Sequence, residues 1–209
     1  MKTDKKIDIR KYGNAPFSIA LLHGGPGASG EMEPVAKALL QIGFNPLEPM
    51  QNEISLEGQV QELKLLLEKY GDLPITLVGY SWGAMLGFIF AGRYPELVKK
   101  LIMVSSGPIE EEYAKDISKT RIDRLNEEDR SKVDSLLKSI DNLSPADKSS
   151  IFLEIDNYTA KSDFYNPLTD DKKTVEFSYE IYEKVWLEFK KFRANGRMLD
   201  IGEKVKCPQ

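Results

Sequence analysis

Cysteine and histidine are almost absent from this chain: each occurs once, as Cys207 and His23. A single cysteine excludes an internal disulfide and is typical of proteins in a reducing compartment. The start of the chain lacks the apolar segment of a signal peptide, and no apolar run approaches the roughly 18 residues of a membrane span. We therefore expect a cytoplasmic protein with no membrane partner.

An excess of positive charge is also missing. The 29 Lys and Arg residues are outnumbered by 33 Asp and Glu, giving a formal net charge of −4 at pH 7. The basic residues are mixed with acidic ones, so we expect no nucleic-acid partner. No grouping of His, Cys and carboxylate residues suggests a metal, and we expect neither a metal nor another cofactor.

The sequence does contain a regular alternation of apolar segments. Its 209 residues, 41% of them hydrophobic, suffice for one substantial core. The order strand, helix, strand repeats, which predicts a doubly wound, mostly parallel α/β sheet. The predicted segments are an edge strand at 7–10, strands at 17–22, 44–50, 75–78 and 100–105, and helices at about 35–42, 55–71 and 84–93.

Apolar spacing and capping residues define the first two helices. Val35, Leu39 and Ile42 are spaced for one helical face, and Gly43 follows as the stop signal. Ser55 is placed to cap the next helix. The apolar stripe of that second helix comprises Leu56, Val60, Leu63, Leu67 and Tyr70.

The character of the sequence changes after Gly107-Pro108, where a charged region at 109–196 predicts several helices. One helix is predicted at 121–140, and another begins at Ser144-Pro145. The last carries a stripe of Val175, Tyr179, Tyr182, Trp186 and Phe189 and ends near Gly196. We interpret this region as a lid over the sheet, after which residues 197–209 return toward a further strand.

Residues 79–83, Gly-Tyr-Ser-Trp-Gly, follow a buried strand and precede an apolar helix. This is the pattern of a nucleophile elbow, in which Ser81 sits in a strained turn with its hydroxyl projecting outward. The amide of Trp82, at the start of the helix, is directed at negative charge developing on a substrate oxygen.

Residues 23–27, His-Gly-Gly-Pro-Gly, follow the buried strand at 17–22. Glycines allow the backbone to approach a ligand closely and to direct an amide into the same site. This loop is therefore a candidate for the second half of an oxyanion hole.

Together, HGGPG at 23–27 and GYSWGA at 79–84 resemble the α/β-hydrolase superfamily, specifically its proline iminopeptidase-like branch. The resemblance covers the whole chain and implies a core at 1–108, a helical cap at 109–196 and a return to the core at 197–209. It implies that Ser81 is the nucleophile and that the amides of Gly25 and Trp82 are the oxyanion donors. His23, with Gly24, Pro26 and Gly27, would support the oxyanion loop.

In that family the catalytic acid and histidine follow the cap. This chain ends where the first of the last strands should begin, so we expect both partners to be missing. His23 belongs to the oxyanion loop and is not expected to replace the base. Three hypotheses remain: a shortened serine hydrolase, a non-catalytic binding module derived from a hydrolase, or an enzyme completed by a second chain.

Other candidates have simpler explanations. A carboxylate at 110–112 would provide a variant triad acid, but a solvated charge run explains these residues better. In the iminopeptidases, cap carboxylates hold the amino group of the substrate, and Glu154 or Asp156 would match that role, although surface charge is the simpler interpretation. Tyr182 and Trp186 are expected to pack in the core.

The resemblance predicts acyl transfer to water, with a small molecule or short peptide as substrate. Aminopeptidase, esterase and lactonase activities all remain open. The strand at 100–105 would form an open apolar sheet edge, which favours self-association.

Overall fold

The computed structural model describes residues 8–140, 143–163 and 175–208. Strands and helices alternate as far as residue 104, and helices predominate beyond it. In chain order, the described elements are β1 (Ile9–Lys11), β2 (Ile19–Leu22), β3 (Ala28–Ser29), α1 (Glu33–Gln41), β4 (Pro46–Pro49), α2 (Leu56–Tyr70), β5 (Ile75–Tyr80), α3 (Trp82–Arg93), β6 (Val98–Val104), α4 (Ile117–Asp123), α5 (Glu127–Ser139), α6 (Pro145–Asp163), β7 (Glu176–Phe177), α7 (Tyr179–Ala194) and α8 (Arg197–Gly202).

Five strands form the main sheet, in the order β1-β4-β2-β5-β6. The strand pairs β4–β2, β2–β5 and β5–β6 are parallel, whereas β1 lies antiparallel to β4 at one edge. The predicted doubly wound, mostly parallel sheet is therefore confirmed. Since parallel strands end at the same edge, the loops that follow β4, β2 and β5 lie side by side there.

The prediction for α2 is confirmed in detail. The hydroxyl of Ser55 accepts a hydrogen bond from the amide of Gly58 at 3.0 Å, which satisfies one of the free donors at the helix start. The apolar stripe faces the sheet, with Val60 and Leu67 fully buried. The helix ends at Tyr70, as the sequence predicts.

The prediction for α1 is correct for the helix and wrong for its buried face. Val35 is 42% exposed and Ile42 is 70% exposed, whereas Ala36 is completely buried. Ala36 packs with Met32 and Leu21 in a small cluster against the sheet. A small alanine lets the helix lie close to the strands, so larger apolar residues elsewhere on the helix remain outside.

Helices α4 to α7 build most of the region between β6 and α8, and residues 109–196 are called the cap below. The helix predicted at 121–140 is wrong in its length, because α4 and α5 are separate. Asn126 interrupts the helix and caps α5, since its side-chain oxygen accepts from the amide of Asp129 at 2.8 Å.

The last cap helix also differs from its prediction. Val175 lies outside α7, which begins at Tyr179 after the short strand β7. The fully enclosed seam of α7 comprises Ile181, Val185 and Phe189, while Tyr182 and Trp186 are half-buried. Ser178 caps the helix through its hydroxyl, which accepts from the amide of Ile181.

The main core lies between the sheet and α2, α3, α7 and α8, and it includes Trp82, Phe90 and Phe189. The cap has a smaller core of its own, centred on Val133 and Ile155. No helix in the described ranges combines the length and apolar character needed to cross a membrane.

The chain returns to the sheet after the cap. Residues 198–201 form part of α8, which packs so closely on α3 that a Cβ on Gly92 would lie 2.7 Å from the carbonyl oxygen of Ile201. Beyond α8, the carbonyl of Pro208 accepts a hydrogen bond from the amide of Leu101 at 3.0 Å. Among the described residues, β5 is the only strand paired with β6.

Candidate active site

Ser81 occupies the sharp turn between β5 and α3. Its backbone has φ 50° and ψ −112°, a conformation that residues other than glycine rarely adopt. Its amide donates to the carbonyl of Val104 at 2.9 Å, which ties the turn to the end of β6. Its hydroxyl makes no capping hydrogen bond to α3. The turn therefore has the strained strand-to-helix geometry of a nucleophile elbow.

Two glycines allow this turn to form. A Cβ on Gly79 would overlap the carbonyl of Gly83, and a Cβ on Gly83 would overlap the carbonyl of Leu22. The backbones of β5, α3 and β2 consequently touch around Ser81. A side chain at either glycine would push α3 away from the sheet and move the serine.

Trp82 begins α3, so its amide is among those at the helix start that have no carbonyl partner within the helix. The positive end of the helix dipole lies here and favours negative charge nearby. The indole is 1% exposed, and its Nε1 donates to Oε1 of Gln59 at 2.9 Å. Trp82 is thus fixed by its side chain while its amide lies at the elbow.

The loop at 23–27 requires glycine at two of its positions. Gly25 and Gly27 have φ of 99° and 89°, which side-chain-bearing residues adopt only with strain. The amide of Gly24 donates to the carboxylate of Glu31 at 2.8 Å. The loop is therefore held by hydrogen bonds and tight backbone contacts.

The sheet brings this loop beside the elbow. Leu22 is paired with Gly79 across β2 and β5, so the residues that follow each strand are neighbours. A Cβ on Gly24 would lie 3.2 Å from the ring of Tyr80. The two motifs recognised in the sequence therefore share one edge of the sheet.

His23 is completely buried beneath the loop. Its Nδ1 lies 2.7 Å from the carbonyl oxygen of Gly24, and its Nε2 lies 2.9 Å from that of Met50. Both ring nitrogens thus face backbone carbonyls. Since the hydroxyl of Ser29 also donates to Met50 at 2.8 Å, the ring is part of a network that joins this loop to the end of β4.

The carboxylates at 110–112 follow β6. Glu110 and Glu112 are exposed, and Glu111 accepts a hydrogen bond from Nε of Arg193 at 2.7 Å. The side chain of Arg193 is 6% exposed, so this ion pair fastens α7 to the start of the cap. Glu111 is therefore engaged in a contact that holds the cap together.

The two cap carboxylates singled out in the sequence lie on α6. Glu154 lies 3.8 Å from the ammonium of Lys132, and Asp156 lies 3.9 Å from the guanidinium of Arg121. Their side chains are 42% and 64% exposed. Both carboxylates therefore take part in partly exposed charge pairs of the cap.

Aromatic rings connect the elbow to the cap. Trp82 meets Phe189 edge-on at 5.2 Å and Trp186 at 6.3 Å between ring centroids. Trp186 stacks on Tyr182 at 6.2 Å, and Tyr182 touches Phe152 at 4.3 Å. Burial raises the pKa of the Tyr182 phenol to about 12. Within the predicted stripe, Tyr182 and Trp186 thus pack with Phe152 as a half-buried aromatic column leading away from the buried pair of Trp82 and Phe189.

The sequence did not reveal Gln51 and Gln59 as supports of the site. Gln51 follows β4 with φ 54°, is 2% exposed, and its side-chain amide has no hydrogen-bond partner among the described residues. Gln59 is completely buried, and its Nε2 donates to the carbonyls of Gln51 and Glu53. A polar residue inside the apolar stripe of α2 was the available signal for Gln59. No local pattern predicts Gln51.

Two surface clefts lie away from Ser81. One, of about 450 Å³, opens at the start of β2 and β5, beside Ser18 and Thr76. The other, of about 310 Å³, lies between α2 and α7, beside Leu56 and Glu188. Neither cleft includes a residue of the two motifs.

Similarity to a known protein family agrees with the fold and with the two motifs. A model of the alpha/beta hydrolase fold family matches residues 18–140, which include both motifs and every strand of the main sheet after β1. The match extends into the cap as far as the end of α5.

Curated relatives match shorter segments. The chain is 30% identical over 105 residues to the sn-1-specific diacylglycerol lipase ABHD11 of Mus musculus, covering 44% of this chain and 33% of the relative. It is 36% identical over 104 residues to a proline iminopeptidase of Lactobacillus delbrueckii subsp. bulgaricus, covering 42% of this chain and 35% of the relative. The matched segments thus span about a third of these relatives.

Solved structures extend the likeness to nearly the whole chain. A structure from a study of carboxylesterases of the archaeon Nitrososphaera gargenis superposes with a TM-score of 0.58 and 16% identity, covering 93% of this chain and 72% of that one. At this identity the likeness concerns the fold alone. With a family match over residues 18–140 and an elbow serine on the matching sheet, the chain belongs to the alpha/beta hydrolase fold family.

Proposed function

We propose that this chain is the nucleophile-bearing part of a serine hydrolase that transfers an acyl group to water. The observation that carries the proposal is the backbone of Ser81, held at φ 50° between β5 and α3 where flanking glycines exclude side chains. Strain of this kind is retained where the surrounding structure enforces it, commonly at sites of function. The hydroxyl oxygen of Ser81 would attack the acyl carbon, and water would then release the acyl group.

The oxyanion donors in this proposal are the amides of Gly25 and Trp82. Both lie at the same sheet edge as Ser81, one in the loop after β2 and one at the start of α3. Two donors held before reaction stabilise the charge that develops on the substrate oxygen, because they need not reorganise during the reaction.

His23 supports the oxyanion loop in this proposal and does not act as the base. Both of its nitrogens face backbone carbonyls, which leaves neither available to accept the proton of Ser81. No other histidine occurs in the 209 residues. We therefore expect these residues alone to hydrolyse esters no faster than their Ser81→Ala variant.

For the substrate, the coarse proposal is an ester, a lactone or an amide of a small molecule or short peptide. The pair of motifs and the likeness to a proline iminopeptidase favour an aminoacyl substrate. The likeness to a diacylglycerol lipase favours an ester of a lipid, so the two substrate classes should be compared directly.

The single, free Cys207 supports a cytoplasmic location.

Covalent labelling tests the proposal. A fluorophosphonate at high concentration should modify Ser81 slowly, because the oxyanion donors stabilise the developing charge even where no base assists the serine. Mass spectrometry of the peptides should locate the adduct at Ser81. Ser105 is a matched control, because its φ of 49° repeats the backbone strain at the end of β6. Labelling should be lost in Ser81→Ala and retained in Ser105→Ala.

Absence of an adduct at Ser81 would instead favour the binding-module hypothesis. Labelling without turnover, followed by turnover when a histidine-bearing segment or chain is added, would support the hypothesis of an enzyme completed in trans.

A further inference from the structure

The oxyanion loop is joined to the cap by a small sheet of its own. Strand β3, directly after the loop, pairs antiparallel with β7 of the cap, with Ala28 opposite Phe177 and Ser29 opposite Glu176. The pairing continues by one hydrogen bond, because the amide of Ser178 donates to the carbonyl of Gly27 at 2.9 Å. The loop and the cap therefore share backbone hydrogen bonds.

The contact is close enough to exclude a side chain. A Cβ on Gly27 would lie 2.6 Å from the carbonyl oxygen of Ser178, well inside van der Waals contact. Gly27 also has φ 89°, so it is glycine for two reasons. A substitution there must displace the cap segment, the loop, or both.

The same cap segment reaches the other half of the site. Ser178 caps α7, and further along that helix Phe189 packs edge-on against Trp82 at 5.2 Å. Phe189 is completely buried, and Arg193 on the next turn is fastened by Glu111. A single continuous segment, residues 176–189, thus contacts both the loop that holds Gly25 and the residue after Ser81.

We propose that residues 176–189 set the spacing of the two oxyanion donors, with Gly27 and Ser178 as the positioning residues that join them to the loop. The inference rests on the proposed function, since it concerns the same donors. A substrate that contacts the cap then moves the two oxyanion donors toward alignment through α7. The contacts between substrate and cap therefore raise the rate of acylation as well as the affinity, because they are strongest when the donors are aligned for the transition state.

The test compares two glycines with nearly the same backbone. Gly43 has φ 91°, and no atom beyond its two chain neighbours lies within 4 Å of the point that its Cβ would occupy, so Gly43→Ala introduces the backbone strain alone. Gly27→Ala introduces the same strain together with the clash at Ser178. The difference between the variants therefore reports the contact with the cap.

Two readouts separate positioning from general damage. In fluorophosphonate labelling of Ser81, Gly27→Ala should lower the maximal inactivation rate at least ~10-fold relative to Gly43→Ala, with little change in the half-saturating probe concentration, because losing an oxyanion donor costs rate. Hydrogen exchange should accelerate at 24–29 and at 176–181 in Gly27→Ala only.

A second pair of variants approaches the contact from the cap. Ser178→Pro removes the amide hydrogen that bonds Gly27 as well as the capping hydroxyl, whereas Ser178→Ala removes the hydroxyl alone. Ser178→Pro should reproduce the slow labelling while the chain remains folded by circular dichroism.

Equal labelling and equal exchange in both glycine variants, or in both serine variants, would overturn the inference. If Ser81 is not labelled in the unsubstituted chain, the proposed function fails first, and the exchange data then report only whether the cap holds the loop.

Discussion

The indole Nε1 of Trp82 donates to Oε1 of Gln59 at 2.9 Å, and both side chains are buried. The same amide of Gln59 donates to the carbonyls of Gln51 and Glu53. One buried side chain therefore connects the start of α3 to the loop after β4.

Replacing Gln59 by Leu should destabilise the protein by about 2 kcal/mol, because an indole donor and two carbonyls lose a buried partner. Urea unfolding measures the effect. Gln61, which is exposed on the same helix, provides the control, and Gln61→Leu should stay within about 0.5 kcal/mol of the unsubstituted protein. A Gln59 variant as stable as this control would show that the network contributes little.

Gln51→Gly should stabilise the protein by about 1 kcal/mol. The substitution removes a buried amide that has no partner in the described part of the chain and relieves a φ of 54°, and these gains exceed the entropy that glycine loses on folding. Gln51→Ala removes the amide but keeps the strained φ. Its midpoint of thermal denaturation should therefore lie between those of the unsubstituted protein and Gln51→Gly. A lower midpoint for the glycine variant would contradict this account.

High pH should reveal the buried phenol of Tyr182. Its pKa is about 12 in the folded chain because burial disfavours the phenolate, against an ordinary value of about 10 in the unfolded chain. A raised pKa contributes stability that is complete below the unfolded value and is lost as pH rises toward the folded one. Stability should therefore fall between pH 10 and 12.

The Tyr182→Phe variant checks this assignment. It should lose less stability over that range in urea unfolding series, since it has no phenol at this position to ionise. Identical pH profiles for the two proteins would exclude Tyr182 as the source.

The outer edge of β6 should promote self-association. Ile102 and Val104 are 38% and 43% exposed, and β5 is the only strand paired with β6 in the described ranges. The carbonyl of Pro208 occupies the outer edge at Leu101, so the stretch offered to another chain is 102–104. Unpaired strand edges with apolar side chains pair readily with other chains. Sedimentation velocity should show concentration-dependent dimers or larger species.

Ile102→Lys should suppress this association, because a charge on an edge strand opposes pairing. Leu65→Lys is the matched control, since Leu65 is 53% exposed on α2 and lies outside the sheet. A monomer at all concentrations, or equal suppression by both variants, would argue against the edge as the contact.

The elements set by neighbouring residues could be predicted from the sequence. The capping residue Ser55 and the apolar stripe from Leu56 to Leu67 predicted α2. Apolar strands followed by glycine-rich turns predicted that residues 23–27 and 79–83 lie at the ends of buried strands. Strand β4 forms although Pro46 and Pro49 lack a backbone N–H to donate, because the two prolines are the first and last residues of the strand.

The remaining features depend on tertiary contacts that sequence spacing does not encode. Ala36, not Val35, faces the sheet because close approach favours the smaller residue. The pairing of β3 with β7 joins the oxyanion loop to a distant part of the chain, beyond the reach of any local pattern.

The hydrogen bond from the amide of Ser81 to the carbonyl of Val104 has a consequence for inactivation. It makes the last residue of β6, which has one strand partner in the described ranges, an anchor of the strained serine in the elbow. Edge strands fray at lower free energies than the centre of a sheet. Fraying of β6 would let Ser81 relax to an ordinary backbone conformation, so on gentle warming we expect serine reactivity to disappear while the rest of the fold is still intact.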